Sequence, residues 1–438
     1  MLRPHLSVAV ARSDSLALLF QEALTVVVRI CVGRQRLGDA QVFRAHMRNT
    51  LQAAEKAALT YGYASDDLGA VLQAVAAFLD ESLLNAQSPQ HAGLYEELFG
   101  IRGAGESFLR NLDRFFERAD SLTVADLLEV HQLCLLLGFR AHLSSLEIRF
   151  LLRQIDEKMR RIRTARPTPP QYVHGSGSAR HSESRPVTFL IGEAGTGKSS
   201  LVAESGVELE QATENAWLAS DALLIEGGIG AGRRLLKRRD ACSAIVTIDC
   251  DTFFTPERAE ILAQSAKQSK AALAEIARET RAPLPVYVLF TKADKINYFS
   301  EFARNFTGLE AREPVGAAVH ASVSEAFDTV YRSLADRRAK LLEREQDSEA
   351  RANIFEFPRE FAKLRPLVVE FLGELRGPAA TLRGFYFTGV GAIHSSIEPQ
   401  RLWLRRLFSD IVLADIPARK PPGKSDGPIA ISRLRRMR

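Results

Sequence analysis

The run Val187-Thr188-Phe189-Leu190-Ile191 passes directly into Gly192-Glu193-Ala194-Gly195-Thr196-Gly197-Lys198-Ser199. An apolar, β-favouring segment followed by this glycine pattern fixes a strand, a tight loop and a helix start in one order. That part of the chain is thereby committed to an α/β sheet with the loop at the strand's carboxyl end. Glycines let the backbone wrap close to a polyphosphate, and loop amides with the following helix N-terminus face the anion. Lys198 adds a point charge and the Ser199 hydroxyl can hold Mg²⁺, with Ser200 beside it. The alternative, a glycine-rich turn that binds nothing, is disfavoured by the strand before the loop and the helix-compatible residues after it.

Residues 164–186 are dense in Pro, Gly and Ser and poor in aliphatics, the composition of a linker. Before it, apolar residues recur at helical spacing, as in Leu18, Ala23, Val26 and Ile30 and again in Leu68, Val71, Leu72, Val75 and Phe78. This predicts an all-helical first part. Within it, Thr123 is expected to cap a helix that carries Leu127, Val130 and Cys134 on one face and ends at Gly138. After the linker, strand-like runs at 187–191, 222–225, 244–248 and 286–290 alternate with helices starting near Lys198, Pro256 and Phe299, which predicts a mostly parallel sheet. Residues 323–375 read as helical, Gly384–Gly389 as a further strand, and 402–411 as a last amphipathic helix.

The expected architecture is therefore multidomain: an N-terminal all-α helical bundle, then an α/β P-loop GTPase-like domain with a helical extension. The expected boundaries are 1–163 for the helical domain, 164–186 for the linker and 187–320 for the P-loop domain. The extension with the last strand takes 321–413, and a basic tail takes 414–438. At 438 residues the length suits two or three domains. Residues 414–438 hold seven Lys/Arg against Asp415 and Asp426, a surplus equal to the whole net charge of +5. The body of the chain is electrically balanced, which argues against a nucleic-acid face. The tail is either a solvated end or a contact for anionic lipid or a partner. Cys31, Cys134, Cys242 and Cys250 lack metal-ligand spacing and read as reduced thiols. No segment is apolar enough to span a bilayer.

The strand-like run 286–290 leads into Thr291-Lys292-Ala293-Asp294, the Thr/Asn-Lys-x-Asp pattern that reads guanine in GTPase-type domains. A carboxylate at Asp294 can accept two hydrogen bonds from the guanine edge while the Lys292 stem packs on the base. Downstream of a P-loop, this favours GTP over ATP. Hydrolysis asks for more: an acid that organises Mg²⁺, a γ-phosphate-sensing glycine and a residue that orients water. Glu226 follows Leu223-Leu224-Ile225 and supplies a carboxylate one methylene longer than an aspartate, alongside Ser199 as metal ligand. Ile229 stands where the sensing glycine is expected, Thr213 is a conceivable metal-sensing threonine, and no water-orienting glutamine follows. Binding is better supported than turnover, and a weak GTPase or NTPase stays open, with Glu226 the candidate catalytic residue.

These motifs share their order with a known family. The P-loop, Trp217-Leu218-Ala219-Ser220-Asp221-Ala222-Leu223-Leu224-Ile225, the run from Val286 to Asp294, Phe355-Glu356-Phe357-Pro358 and Arg383-Gly384-Phe385-Tyr386-Phe387-Thr388 together resemble the cytoplasmic NTPase domain of the IcmF/TssM family of type VI secretion. The first part, through Phe78 to Leu84, Tyr95 to Gly100, Ala104 to Phe108 and Asp126 to Arg140, is similar to the cytoplasmic domain of the DotU/TssL family, the membrane partner of the IcmF-like protein. The chain reads as a fusion of the two. The resemblance implies that Asp80 and Glu81 are the acidic pair of a partner groove. It also implies membrane helices and a periplasmic part that this sequence does not contain, so the chain is either an excised portion or works at the membrane surface without spanning it.

The expected function is a cytoplasmic scaffold module of a type VI secretion membrane complex that binds a purine nucleotide, GTP or ATP with Mg²⁺, and docks baseplate components. The alternatives are an active GTPase switch that drives assembly and a nucleotide-binding regulator unrelated to secretion. The expected partners are baseplate and membrane-complex proteins within a larger assembly. Inner-membrane contact through the basic tail is a further expectation, and nucleic acid is not a partner. The expected location is the cytoplasmic face of the bacterial inner membrane.

Overall fold

A computed structural model describes residues 15–164, 187–198, 202, 210–213, 216–218, 223–227, 242–394 and 396–412. The expected linker from 165 onward, the tail, Ser199, Ser200 and Ile229 lie outside the described residues.

Residues 15–164 are helical, as the 3.6-residue periodicity predicts. The helices are α1 (Leu16–Leu19), α2 (Gln21–Cys31), α3 (Ala40–Thr60), α4 (Ser65–Asn85), α5 (Leu94–Phe99), α6 (Ala104–Glu117), α7 (Leu122–Leu137) and α8 (Ser145–Thr164). Helix α7 is apolar nearly all round and is buried on every side, so the other helices wrap it. Its cap is Ser121, whose hydroxyl accepts from the Val124 amide, and not Thr123. Ser121 has the extended backbone that an N-cap requires. Gly138 ends the helix as expected, at φ +125°.

The second part is a mixed sheet of eight strands in the order β2-β3-β4-β1-β5-β6-β8-β7. Strands β1 (Val187–Ile191), β4 (Leu223–Glu226), β5 (Cys242–Asp249), β6 (Leu284–Thr291) and β8 (Ala380–Phe387) are parallel neighbours. The edges, β2 (Glu210–Thr213) with β3 (Ala216–Leu218) and β7 (Val315–Ala318), run antiparallel. The parallel centre follows from strands buried on both faces, all five residues of β1 included. Helices α9 (Arg258–Thr280), α10 (Phe299–Arg304), α11 (Val323–Arg344), α12 (Ser348–Ala362) and α13 (Arg365–Leu375) accompany it. The helix expected over 402–411 is present but starts three residues later: Leu402 closes β10 (Ser396–Leu402), which pairs with β9 (Gly389–Ile393), and helix Arg405–Leu407 runs on as a π-helix over Phe408–Val412. Among the described residues no helix is long and apolar enough to cross a membrane.

One hydrophobic cluster runs through both parts, because α2 and α7 of the first pack on α11 and α12 of the second. Polar pairs fix the register of this seam. Arg29 Nε donates to both Glu356 oxygens at 3.1 and 3.0 Å, and the Glu356 side chain is fully buried. Arg34 reaches Asn353 Oδ1 and Glu349 Oε1, each at 2.7 Å. Arg359 pairs with Glu22 at 2.8 Å. Arg338, 1% exposed, donates to Gln21 Oε1 and lies 4.8 Å from the centre of the Phe355 ring.

Glu129 of α7 sits at the same seam, almost fully buried, and accepts from Arg163 Nη2 at 3.0 Å. Burial pushes its carboxyl up to about 7. Arg163 and Arg338 oppose the shift, while Asp336 and Asp126 reinforce it. The native chain therefore keeps a proton that the unfolded chain releases above the ordinary value of 4.5, so this group's contribution is full below 4.5 and is lost as pH rises toward 7. His131, buried between Phe108 and Phe115, acts oppositely: burial holds it down to about 4, and its contribution is lost as pH falls below 6.5. Glu129→Gln should isolate the first effect. Urea midpoints compared across this range should show the variant gaining on the wild type as pH rises. A difference that stays constant with pH would remove Glu129 from the balance.

Candidate functional site

The chain leaves β1 toward β4 on one side and later returns to β5 on the other. Such a reversal opens a crevice at the carboxyl ends of β1 and β5, where open α/β sheets hold ligands. The glycine loop lies there. Gly192 is pressed against β5: a Cβ on it would stand 2.2 Å from Thr247 Oγ1 and 2.7 Å from the Thr247 carbonyl oxygen. Gly195 and Gly197 have φ of +83° and +81°, with open space where a side chain would go. These are the positions where the loop backbone can meet a ligand.

Three threonine hydroxyls tie the loop to the neighbouring strands. Thr196 Oγ1 donates to the Glu193 carbonyl at 2.9 Å and lies 2.8 Å from Thr247 Oγ1. Thr291 Oγ1, at the end of β6, contacts the Thr196 carbonyl at 2.9 Å and the Ile248 carbonyl at 3.3 Å. The glycine loop and the Thr-Lys-x-Asp motif, far apart in the chain, are thus in direct contact.

Lys198 is 8% exposed and turns back into its own loop. Its Nζ donates to the carbonyls of Gly192 and Glu193 at 3.0 and 2.5 Å, and lies 3.6 Å from Glu226 Oε1. Glu226 stands at the end of β4, which pairs with β1. Lys292, in a left-handed conformation at φ +53°, forms an ion pair with Asp249. That pairing raises its ammonium above the usual lysine range. Asp249 also accepts from the Asp251 amide at 2.9 Å. One oxygen of Asp294 accepts from the Val390 amide at 2.9 Å.

Gly192, Gly195, Thr196, Gly197, Lys198, Glu226, Thr291, Lys292 and Asp294 therefore converge at one end of the sheet. Ser199 and Ser200 fall outside the described residues, and so does the side chain of Thr213. Among the described residues no three His, Cys, Asp or Glu side chains cluster as metal ligands. Sequence reasoning misses Thr247 and Asp249. An acid at the carboxyl end of a buried parallel strand is the signal that could have found Asp249.

Asp80 and Glu81 lie apart from this crevice, on α4. Asp80 accepts from the amides of Gly93, Leu94 and Tyr95 at 2.9 to 3.1 Å. Its burial outweighs those bonds and raises its carboxyl above the usual range. Glu81 accepts from the Arg140 and Ala141 amides at 2.7 and 3.1 Å. Both acids bind loop backbone, so they shape the surface around them as well as carrying charge.

Residues 15–196 match the family model of the type VI secretion system protein DotU. Residues 233–406 match that of the IcmF-related N-terminal domain. Lys198 and Glu226 fall between the two matched segments. The type VI secretion system component TssM1 of Pseudomonas aeruginosa is 24% identical over 293 residues, 55% of this chain and 26% of that protein. The match thus spans about a quarter of that relative's length. A solved structure, the cytoplasmic domain of TssL from Acinetobacter baumannii, is 24% identical and covers 34% of this chain and 99% of its own, with a TM-score of 0.31.

Proposed function

Since the chain is a fusion of a type VI secretion DotU segment with an IcmF-related segment, we propose that it is a scaffold on the cytoplasmic side of a secretion membrane complex, one that binds a purine nucleotide and docks baseplate components. The observation that carries the reading is the seam itself. Arg29, Arg34 and Arg338 join helices of the two segments through buried or half-buried pairs, so one segment's position is set by the other. Covalent fusion makes that docking intramolecular and holds it at high effective concentration.

A P-loop, GTPase-like reading of the second part is supported by the loop's place at the reversal of strand order and by the Thr291–Thr196 contact. The amides of Gly195 to Lys198 and the Lys198 ammonium would hold phosphates, with Ser199 and Glu226 as ligands for Mg²⁺. Asp294 would take the guanine edge with Lys292 beside the base. A bound nucleotide supplies negative charge that competes with Glu226 and the loop carbonyls for Lys198. Because Glu226 already sits on Lys198, the arrangement favours binding and conformational coupling over turnover.

Titration with fluorescent GTP and ATP in the presence of Mg²⁺ tests this. Lys198→Ala should weaken both by about tenfold or more, the size of a lost charge-assisted contact. Asp294→Ala should weaken GTP alone. A wild-type chain that binds neither nucleotide would leave a scaffold without a nucleotide, and Lys198-dependent hydrolysis would restore the switch reading.

A further inference from the structure

Lys198 carries the positive charge of the glycine loop, and three oxygens of the chain engage that charge. Its ammonium donates to the Gly192 and Glu193 carbonyls at 3.0 and 2.5 Å, with Glu226 Oε1 at 3.6 Å. An ammonium has three N–H donors, so a phosphate reaches it only by displacing an oxygen already there. The three are not equally movable. Gly192 is wedged against β5, where a Cβ would meet Thr247, so its carbonyl moves only with the backbone. The Glu193 carbonyl also accepts from Thr196 Oγ1 at 2.9 Å, and Thr196 Oγ1 lies 2.8 Å from Thr247 Oγ1. Glu226 makes the longest of the three contacts, through a side chain that is 22% exposed. The end of β4 is itself pinned, since the Gly227 amide donates to the Leu190 carbonyl at 2.8 Å, and the side chain alone can retreat. On the other flank of β1, Lys292 pairs with Asp249 of β5. A polyphosphate therefore meets two lysines, each already matched to an acid.

We propose that Glu226 is a latch on the glycine loop: its carboxylate competes with phosphate for Lys198, and the loop accepts a polyphosphate only as that side chain withdraws. Resting on the nucleotide reading above, the latch adds a control on that same site, because affinity is set by where Glu226 lies. Lys198 is 8% exposed, so little water screens its contact with the carboxylate and the competition is strong. One carboxylate cannot serve Lys198 and a metal ion together. Polyphosphate binding should therefore rise more steeply with Mg²⁺ in the wild type than in a chain without this charge.

Glu226→Gln keeps the length of the side chain and removes its charge. Calorimetric titration of the full chain in EDTA, with tripolyphosphate and with GTP, should show this variant binding about tenfold more tightly than the wild type. Glu226→Asp keeps the charge but is one methylene shorter, and its affinity should fall between the two. In a Lys198→Ala background Glu226→Gln should change nothing, because the competition runs through the ammonium. Unchanged thermal midpoints would show that the variants remain folded. A Glu226→Gln chain that binds in EDTA as the wild type does, and more weakly with Mg²⁺, overturns the proposal, since Glu226 is then a metal ligand alone. An equal gain in the Lys198→Ala background overturns it too, because the carboxylate then repels phosphate without holding the lysine. If Glu226→Gln takes tripolyphosphate more tightly while no chain takes GTP, the latch stands and the nucleotide reading fails. If no chain takes either ligand, both fail.

Discussion

Arg29→Ala should lower the unfolding free energy by about 3 kcal/mol, the low end of the cost of removing one partner from a buried ion pair. Glu356 has no exposed side-chain surface, and Arg29 meets both of its oxygens. Truncating the arginine leaves a carboxylate in the seam between α2 and α12 with its main cation gone. The surface pair Arg359–Glu22 crosses the same seam with Glu22 62% exposed, and Arg359→Ala should cost only about 0–1 kcal/mol. Arg29→Met combined with Glu356→Gln removes both charges and should recover much of the loss. Urea unfolding followed by tryptophan fluorescence and by circular dichroism separates these outcomes. If Arg29→Ala costs no more than Arg359→Ala, the seam is held by apolar packing alone. If it is as costly as expected, the single transition should split, because the helical part and the sheet part then unfold apart.

Strands β1, β4, β5 and β6 of the parallel centre are legible in the sequence because they are buried on both faces and read as largely apolar runs, whereas β8 exposes Thr381 and Arg383 and only its end, Gly384–Phe387, carries that signal. Strands β7, Val-Gly-Ala-Ala, and β2, Glu-Gln-Ala-Thr, carry no such signal. They are strands because a neighbour pairs with them, and Gly316 is needed in β7 because a Cβ there would meet the Phe385 carbonyl at 2.2 Å. Sequence reasoning sets the α7 cap two residues late, since Thr123 offers the same hydroxyl chemistry as Ser121 and only backbone conformation chooses between them. Phe355-Glu356-Phe357-Pro358 is legible as a motif but not as half of a seam. Its buried acid finds Arg29 across 327 positions, and periodicity gives no information about such a pair. The Thr291–Thr196 bond is likewise invisible in the sequence, although each residue stands in a recognisable motif.

Gly192→Ala and Gly195→Ala, the same chemical change three residues apart, should have different consequences. At Gly192 the added carbon would stand 2.7 Å from the carbonyl of Thr247, and β5 is clamped between β1 and β6 and cannot retreat. The loop must move instead, breaking the Thr196–Thr247 contact, at an overpacking cost of about 1–3 kcal/mol, and the nucleotide affinity proposed for the loop should fall with it. At Gly195 the space is open and only the left-handed backbone resists, a cost of about 1–2 kcal/mol that the exposed loop can partly relieve by local adjustment. Its stability should stay near that of the wild type while the proposed nucleotide affinity falls, because a methyl group would stand on the side of the loop to which the proposal assigns the phosphate. Thermal unfolding and nucleotide titration on the two variants form one test. If Gly195→Ala binds nucleotide as the wild type does, the open side of the loop is not where phosphate sits, and its glycines serve the sheet alone.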